Sequence, residues 1–138
     1  MAVKVITYDV GTTGLKVCLF DISAEESVKY LAGETEHYAL HVLENGGVEQ
    51  DPDDWWSAMA EGTKKLLEKS GTAKEEIKGI SFCSQFQTVV MVDEEGNPLR
   101  RAMSCMDSRA DKQFKDCMST GIKVEGLDII KVLKYMRT

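Results

Sequence analysis

The stretch Tyr8-Asp9-Val10-Gly11-Thr12-Thr13-Gly14-Leu15-Lys16 constrains this chain more than any other. Before it lie Val3, Val5 and Ile6, and after it Val17, Cys18, Leu19 and Phe20, two apolar runs of strand length. The pattern predicts strand, tight turn, strand, with Asp9 at the end of the first strand. Gly11 and Gly14 admit positive φ and close approach of a ligand, and Thr12 and Thr13 offer hydroxyl and N–H donors. Such a turn can cradle a phosphate. A carboxylate beside it can hold a magnesium ion through water, since Mg²⁺ prefers oxygen ligands and keeps much of its hydration. Lys16 adds a mobile positive charge. On these residues alone an ordinary β-hairpin, whose Gly and Thr only satisfy turn geometry, stays open.

Composition narrows the rest. The chain has 138 residues, 43% hydrophobic and 29% charged, enough for one compact α/β domain and too few for a second. A formal net charge of -6, with Lys and Arg scattered, argues against nucleic acid as a partner. No apolar run reaches the length of a membrane span, and Met1 to Lys4 leads directly into a strand rather than a signal peptide, so a cytoplasmic location is expected. Cys18, Cys83, Cys105 and Cys117 are too far apart for a metal clip that His37 and His41 could complete, and read as reduced thiols, some of them buried on strands.

A third strand is read over Val28 to Tyr38, and Asn45-Gly46-Gly47 is a turn that leads to the next element. The clearest helix follows. Asp51 is its N-cap, Pro52 its first position, Asp53 and Asp54 place charge in the first turn, and Gly71 stops it. Trp55, Trp56, Met59, Leu66 and Leu67 recur near helical spacing and are expected in the core, a sugar-stacking platform being the competing use of the two Trp. Thr72 to Glu76 reads as a short helical turn, Ile77 to Cys83 as a strand buried in the sheet, and Thr88–Asp93 with Leu99–Met103 as a β-hairpin about Glu94-Glu95-Gly96-Asn97-Pro98. Helices are read from about Arg109 to Met118, closed by Gly121, and from Leu127 to Met136; the chain then stops without a cap, which reads as a cut.

Two further segments carry chemistry. In Ser84-Gln85-Phe86-Gln87-Thr88, two amides flank an aromatic at a strand end, suited either to sugar hydroxyls or to capping the strand. In Cys105-Met106-Asp107-Ser108-Arg109, Asp107 can bind adjacent hydroxyls, or Asp107 or Ser108 can cap the following helix.

Taken together, Asp-x-Gly-Thr-Thr-x-x-Lys after a strand resembles the first phosphate loop of the FGGY carbohydrate kinases, a branch of the actin-like ATPases. Val48-Glu49-Gln50-Asp51-Pro52-Asp53-Asp54-Trp55-Trp56 is similar to another segment of that family, and Cys105 to Arg109 to its Trp-x-Asp-x-Arg, with Cys105 where an aromatic is common. The resemblance implies an α/β ribonuclease H-like domain, a mixed sheet whose first three strands are antiparallel, flanked by helices. It implies ATP and Mg²⁺ as cofactors, Asp9 as the metal-associated carboxylate, and Gly11, Thr12, Thr13 and Lys16 at the nucleotide phosphates. Gln85, Phe86, Gln87, Asp107 and Arg109 become substrate-binding residues.

The position of Ser84 to Gln87 reads Gly-Gln-Met-His in xylulose kinases and Gln-Arg-Glu in glycerol kinases; Gln85 and Asp107 favour a ketopentose such as xylulose, with glycerol or another polyol as the alternative. The resemblance also implies that residues 1–138 are an incomplete N-terminal domain, inactive alone. The general base, the adenine pocket and the partner C-terminal domain then lie outside it, and a homodimer is open. Two other classes remain: a nuclease of the ribonuclease H-like group, which needs more converging acids and a basic face, and a non-catalytic actin-like interaction module.

Overall fold

The computed structural model describes residues 3–23, 27–118, 123–124 and 127–136. The chain opens with β1 (Val3–Val10) and β2 (Gly14–Ile22), paired antiparallel with Asp9 opposite Lys16, and continues into β3 (Val28–His37), antiparallel to β2. After β4 (His41–Val42), β5 (Val48–Gln50), α1 (Pro52–Ser70) and a 3₁₀ turn at Lys74–Glu76 comes β6 (Ile77–Ser84), which lies parallel to β1. The main sheet therefore runs β3-β2-β1-β6, and α1 is part of the crossover that a parallel pair requires. The fold class is the one expected. A second sheet, β4-β5-β7 with β7 at Ala102–Met103, is antiparallel throughout and was not anticipated.

Helix α1 begins and ends as its sequence dictates. The Asp51 carboxylate accepts from the Asp53 N–H at 3.1 Å, and Gly71 takes the left-handed conformation, φ 64°, with its N–H on the Glu68 carbonyl. Ala58, Gly62 and Leu66, spaced by four, form the buried stripe, and Leu66 packs with Ile6, Tyr8, Leu15, Val17 and Leu19 in the core. A Cβ on Gly62 would stand 2.9 Å from Val17 Cγ1, so this glycine sets how closely the helix approaches β2. Lys65 and Lys69 reach across to Glu36 and Glu34 on β3 at 2.7 and 2.6 Å.

Several expectations are corrected. Trp56 is 70% exposed rather than in the core, because it lies about 100° round the helix from Trp55 and cannot share the face of Ala58 and Leu66. Strand β6 is at the sheet edge, and Ile80 and Phe82 are exposed rather than buried. The hairpin expected after β6 is present as isolated bridges, Val89 with Met103 and Val92 with Pro98, rather than continuous strands, with the Leu99 N–H on the Met91 carbonyl between them, and its second arm also serves as β7 beside β5. Helix α2 spans Asp111–Met118, two residues later than read, since Asp107 first forms a turn with its carboxylate on the Arg109 N–H; Phe114 on it is exposed. Strands β8 (Lys123–Val124) and β9 (Leu127–Asp128) pair, and α3 starts only at Ile129 and runs to Tyr135. Gly121 and the chain end at Thr138 lie outside the described residues. None of the four cysteines forms a disulfide; Cys18 is half-buried and the other three exposed, so the thiols are less buried than expected. No helix among the described residues is long and apolar enough to cross a membrane.

Candidate active site

The turn between β1 and β2 is held from behind, carbonyl by carbonyl. Tyr38, just after β3, donates its hydroxyl to the Gly11 carbonyl. Gln50, fully buried at the end of β5, donates from Nε2 to the Thr12 carbonyl at 2.8 Å. His37 Nδ1 lies 3.2 Å from the Thr13 carbonyl, and the Gly11 N–H closes the turn on the Gly14 carbonyl at 3.0 Å. Gly14 is required by close approach: a Cβ there would stand 2.6 Å from the Glu36 carbonyl oxygen.

These contacts decide where the N–H groups point. No peptide bond of the described residues is cis, and in a planar trans peptide the N–H is directed opposite the C=O of the same unit. With the Gly11 carbonyl turned to Tyr38 and the Thr12 carbonyl to Gln50, the Thr12 and Thr13 N–H groups project outward. Neither has an acceptor among the described residues. Adjacent outward N–H groups form an anion-binding concavity. Burial, and then the Asp9 charge, push the Tyr38 phenol up to about 12, so it remains a donor at any neutral pH.

Asp9 and Lys16 stand across the hairpin from each other with Nζ 4.0 Å from Oδ2, both exposed. No group of three or more His, Cys, Asp or Glu converges on a cation among the described residues. A magnesium ion that keeps most of its water needs only one such carboxylate from the protein, so the exposed Asp9 fits that role.

The expected substrate residues divide. Gln85 continues from β6, its N–H on the Val10 carbonyl at 2.8 Å, and its amide turns inward, Nε2 donating to Gln50 Oε1 at 2.6 Å. Phe86 is 75% exposed, and Gln87 is the one non-glycine of positive φ, 50°, among the described residues. Strain of this kind persists where the surroundings impose it and collects at ligand sites. Beside them a cleft of about 350 Å³ opens between α1 and β6, lined in part by Trp55, Trp56, Phe82, Gln85 and Thr88. The buried Trp55 Nε1, Gln85 Oε1 and Thr88 Oγ1 have no hydrogen-bond partner among the described residues.

Asp107 and Arg109 are brought together, but through a different network. Both Asp107 oxygens are occupied by the Arg109 guanidinium, Oδ1 also by the Arg109 N–H and Oδ2 by the Val48 N–H at 3.1 Å. Arg109 continues to Glu49 at 2.7 Å, which also accepts from Arg100. The Arg109 guanidinium holds the Asp107 carboxyl down to about 2 and the Glu49 carboxyl below its ordinary value, while the two carboxylates push Arg109 upward. Sequence reasoning did not find Tyr38, Glu49, Gln50 or Arg100; the only signal was the family-like segment that contains Glu49 and Gln50.

The mixed sheet and clamped turn place the chain among the actin-like ATPase folds, the fold of its structural neighbours. Residues 4–130 match the N-terminal domain of the FGGY family of carbohydrate kinases, and the chain belongs to that family. It is similar to a xylulose kinase of Staphylococcus epidermidis, 32% identical over 111 residues, 80% of this chain and 22% of that protein. It is also similar to a glycerol kinase of Roseobacter denitrificans, 31% identical over 118 residues, 85% of this chain and 23% of that one. Among solved structures, a gluconate kinase from Lactobacillus acidophilus superposes with TM-score 0.73 at 26% identity, covering 85% of this chain and 22% of that chain. A xylulose kinase from the same organism gives 0.72 at 27%, covering 83% and 22%. The chain thus spans about a fifth of the length of the curated relatives it matches.

Proposed function

We propose that the protein carrying this chain transfers the γ-phosphate of ATP to a hydroxyl of a sugar or polyol, a ketopentose such as xylulose being the first choice. The observation that carries this reading is the clamped turn with its outward Thr12 and Thr13 N–H groups beside Asp9. Phosphoryl transfer asks little covalent chemistry of a protein; it needs donors fixed where charge accumulates on the phosphoryl oxygens, and a positioned acceptor hydroxyl. Thr12 and Thr13 supply the fixed donors, Gly11 shapes the turn that carries them, and Lys16, exposed beside it, neutralises phosphate charge. Asp9 would hold a magnesium ion through its water, and the chemistry supplied there would be neutralisation of phosphate charge.

On the acceptor side, Phe86 and Gln87 stand free to meet the sugar, and Gln85 orients them from within. Asp107 and Arg109 are assigned to the same side by the family pattern; since the Arg109 guanidinium already holds the Asp107 oxygens, a sugar would compete with Arg109 for them. The proton acceptor for the attacking hydroxyl and the adenine pocket are assigned to a second domain of the same protein, which makes that domain the chief partner. The 138 residues alone are then inactive.

The test is an ATP-consumption screen of the protein carrying this chain against pentuloses, hexuloses, polyols and glycerol, with Asp9→Ala as control. Turnover with one sugar, abolished in the control, supports the reading; no turnover by folded protein across the panel overturns it. Glycerol stands second because a glycerol kinase is among the relatives, whereas Phe86-Gln87 replaces the Arg-Glu pair of that group.

A further inference from the structure

We propose that Tyr38 and Gln50 are positioning residues for the nucleotide phosphates, and that Gln50 also couples the phosphate turn to the sugar-side loop. This rests on the kinase reading of the turn. Tyr38 and Gln50 bind neighbouring carbonyls, those of Gly11 and Thr12, from the interior side. If either carbonyl swung outward, its peptide would carry the paired N–H inward, and an oxygen would face the phosphate where a donor is needed.

An isolated Gly-Thr-Thr-Gly turn has ample freedom to make that swing, since glycine tolerates both signs of φ. Tyr38 and Gln50 remove it before the ligand arrives. Preorganised donors of this kind cost no rearrangement during reaction.

Gln50 has a second bond. Its Oε1 accepts from Gln85 Nε2 at 2.6 Å, so one buried amide ties the Thr12 carbonyl to the residue that leads into Phe86 and Gln87. Gln85 is itself fixed to Val10, the last residue of β1, through its N–H. The two loops therefore share a rigid link, and Gln50 is the one side chain whose loss loosens both. The Tyr38 ring packs against the core and its hydroxyl bonds the turn without reaching Gln85, which separates the two roles.

Three variants of the protein carrying this chain test this: Tyr38→Phe, Gln50→Met and Gln50→Glu. Losing one net hydrogen bond is worth roughly fivefold in an affinity. Tyr38→Phe, which keeps the ring, is expected to raise KM for ATP about fivefold with KM for the sugar unchanged and only the small loss of stability that one hydrogen bond carries. Gln50→Met is expected to raise both KM values by at least that factor. Gln50→Glu keeps the acceptor for Gln85 but loses the donor to Thr12, so it should restore the sugar KM toward wild type and leave the ATP KM high.

Unchanged ATP KM in Tyr38→Phe overturns the proposal, as does a fall in stability with both KM values moving together. If the Gln50 variants do not fold, Tyr38→Phe decides alone. If the wild type shows no turnover, the kinase reading fails separately, and calorimetric MgADP affinity becomes the readout. The same loss of about fivefold in Tyr38→Phe upholds the clamp, and no difference, or no binding by the wild type, removes it.

Discussion

Glu49 and Gln50 are adjacent on β5, yet their side chains enter two separate hydrogen-bond networks: Glu49 joins Arg109, Asp107 and Arg100, and Gln50 joins Thr12 and Gln85. Alternation along a strand sends neighbours to opposite faces, so a three-residue strand can serve the phosphate turn on one side and the acidic–basic cluster on the other. Removing the shared cation of the second network should be costly. Arg109→Met is expected to lower unfolding free energy by about 2–4 kcal/mol, because Glu49 and Asp107 are left as two nearly buried carboxylates with their main partner gone. Urea unfolding monitored by Trp fluorescence checks it.

The same cluster sets an acid limit. The Asp107 carboxyl sits at about 2 in the folded protein, below the ~3.9 of an unfolded chain, and Glu49 is shifted the same way. A depressed folded value contributes stability that is complete above the unfolded value and is lost as pH falls through the folded one. Melting temperature should therefore drop steeply between pH ~4 and pH ~2, with Asp107 contributing on the order of 1–2 kcal/mol, and Asp107→Asn should flatten that drop. Parallel drops in the two proteins would contradict it.

Two opposed effects meet at Gly62. Alanine there gains roughly 1 kcal/mol of helix propensity, but its Cβ would lie 2.9 Å from Val17 Cγ1 and 3.3 Å from Glu36 Cγ. Forcing α1 off β2 costs about 1–3 kcal/mol by the usual scale of overpacking. Gly62→Ala should therefore be net destabilising, by roughly 1 kcal/mol, and a stabilised variant would show that the helix has room to shift.

Size and burial predict opposite rankings for Trp56 and Leu66. Leu66 is fully buried and Trp56 is 70% exposed. Leu66→Ala should cost about 2–5 kcal/mol and Trp56→Ser less than about 1 kcal/mol, although the Trp loses far more atoms. Thermal melts of the two variants decide this directly.

What the sequence revealed and what it hid follow one division. Helix α1 was legible to the residue because Asp51, Pro52 and Gly71 act on the backbone within a few positions. The β1 turn was legible for the same reason. Tyr38 and Gln50 were not, since their partners lie 27 and 38 residues away and only the sheet brings them together. The β4-β5-β7 sheet was missed because two-residue strands have no periodicity to read. An apolar run such as that of β6 does not reveal whether its strand is central or at an edge; strand order decides, and it left Ile80 and Phe82 exposed. Asp107 and Arg109 were read from the sequence as substrate residues; their mutual bond and its extension to Glu49 needed the fold.

The central claim is that the Thr12 and Thr13 N–H groups are aimed at phosphate, and amide NMR of the protein carrying this chain tests it most directly. On addition of MgADP, the Thr12 and Thr13 amide protons should shift downfield together, while the Gly11 amide, already bonded to the Gly14 carbonyl, should move little. Saturable nucleotide binding with Thr12 and Thr13 unmoved would contradict the account.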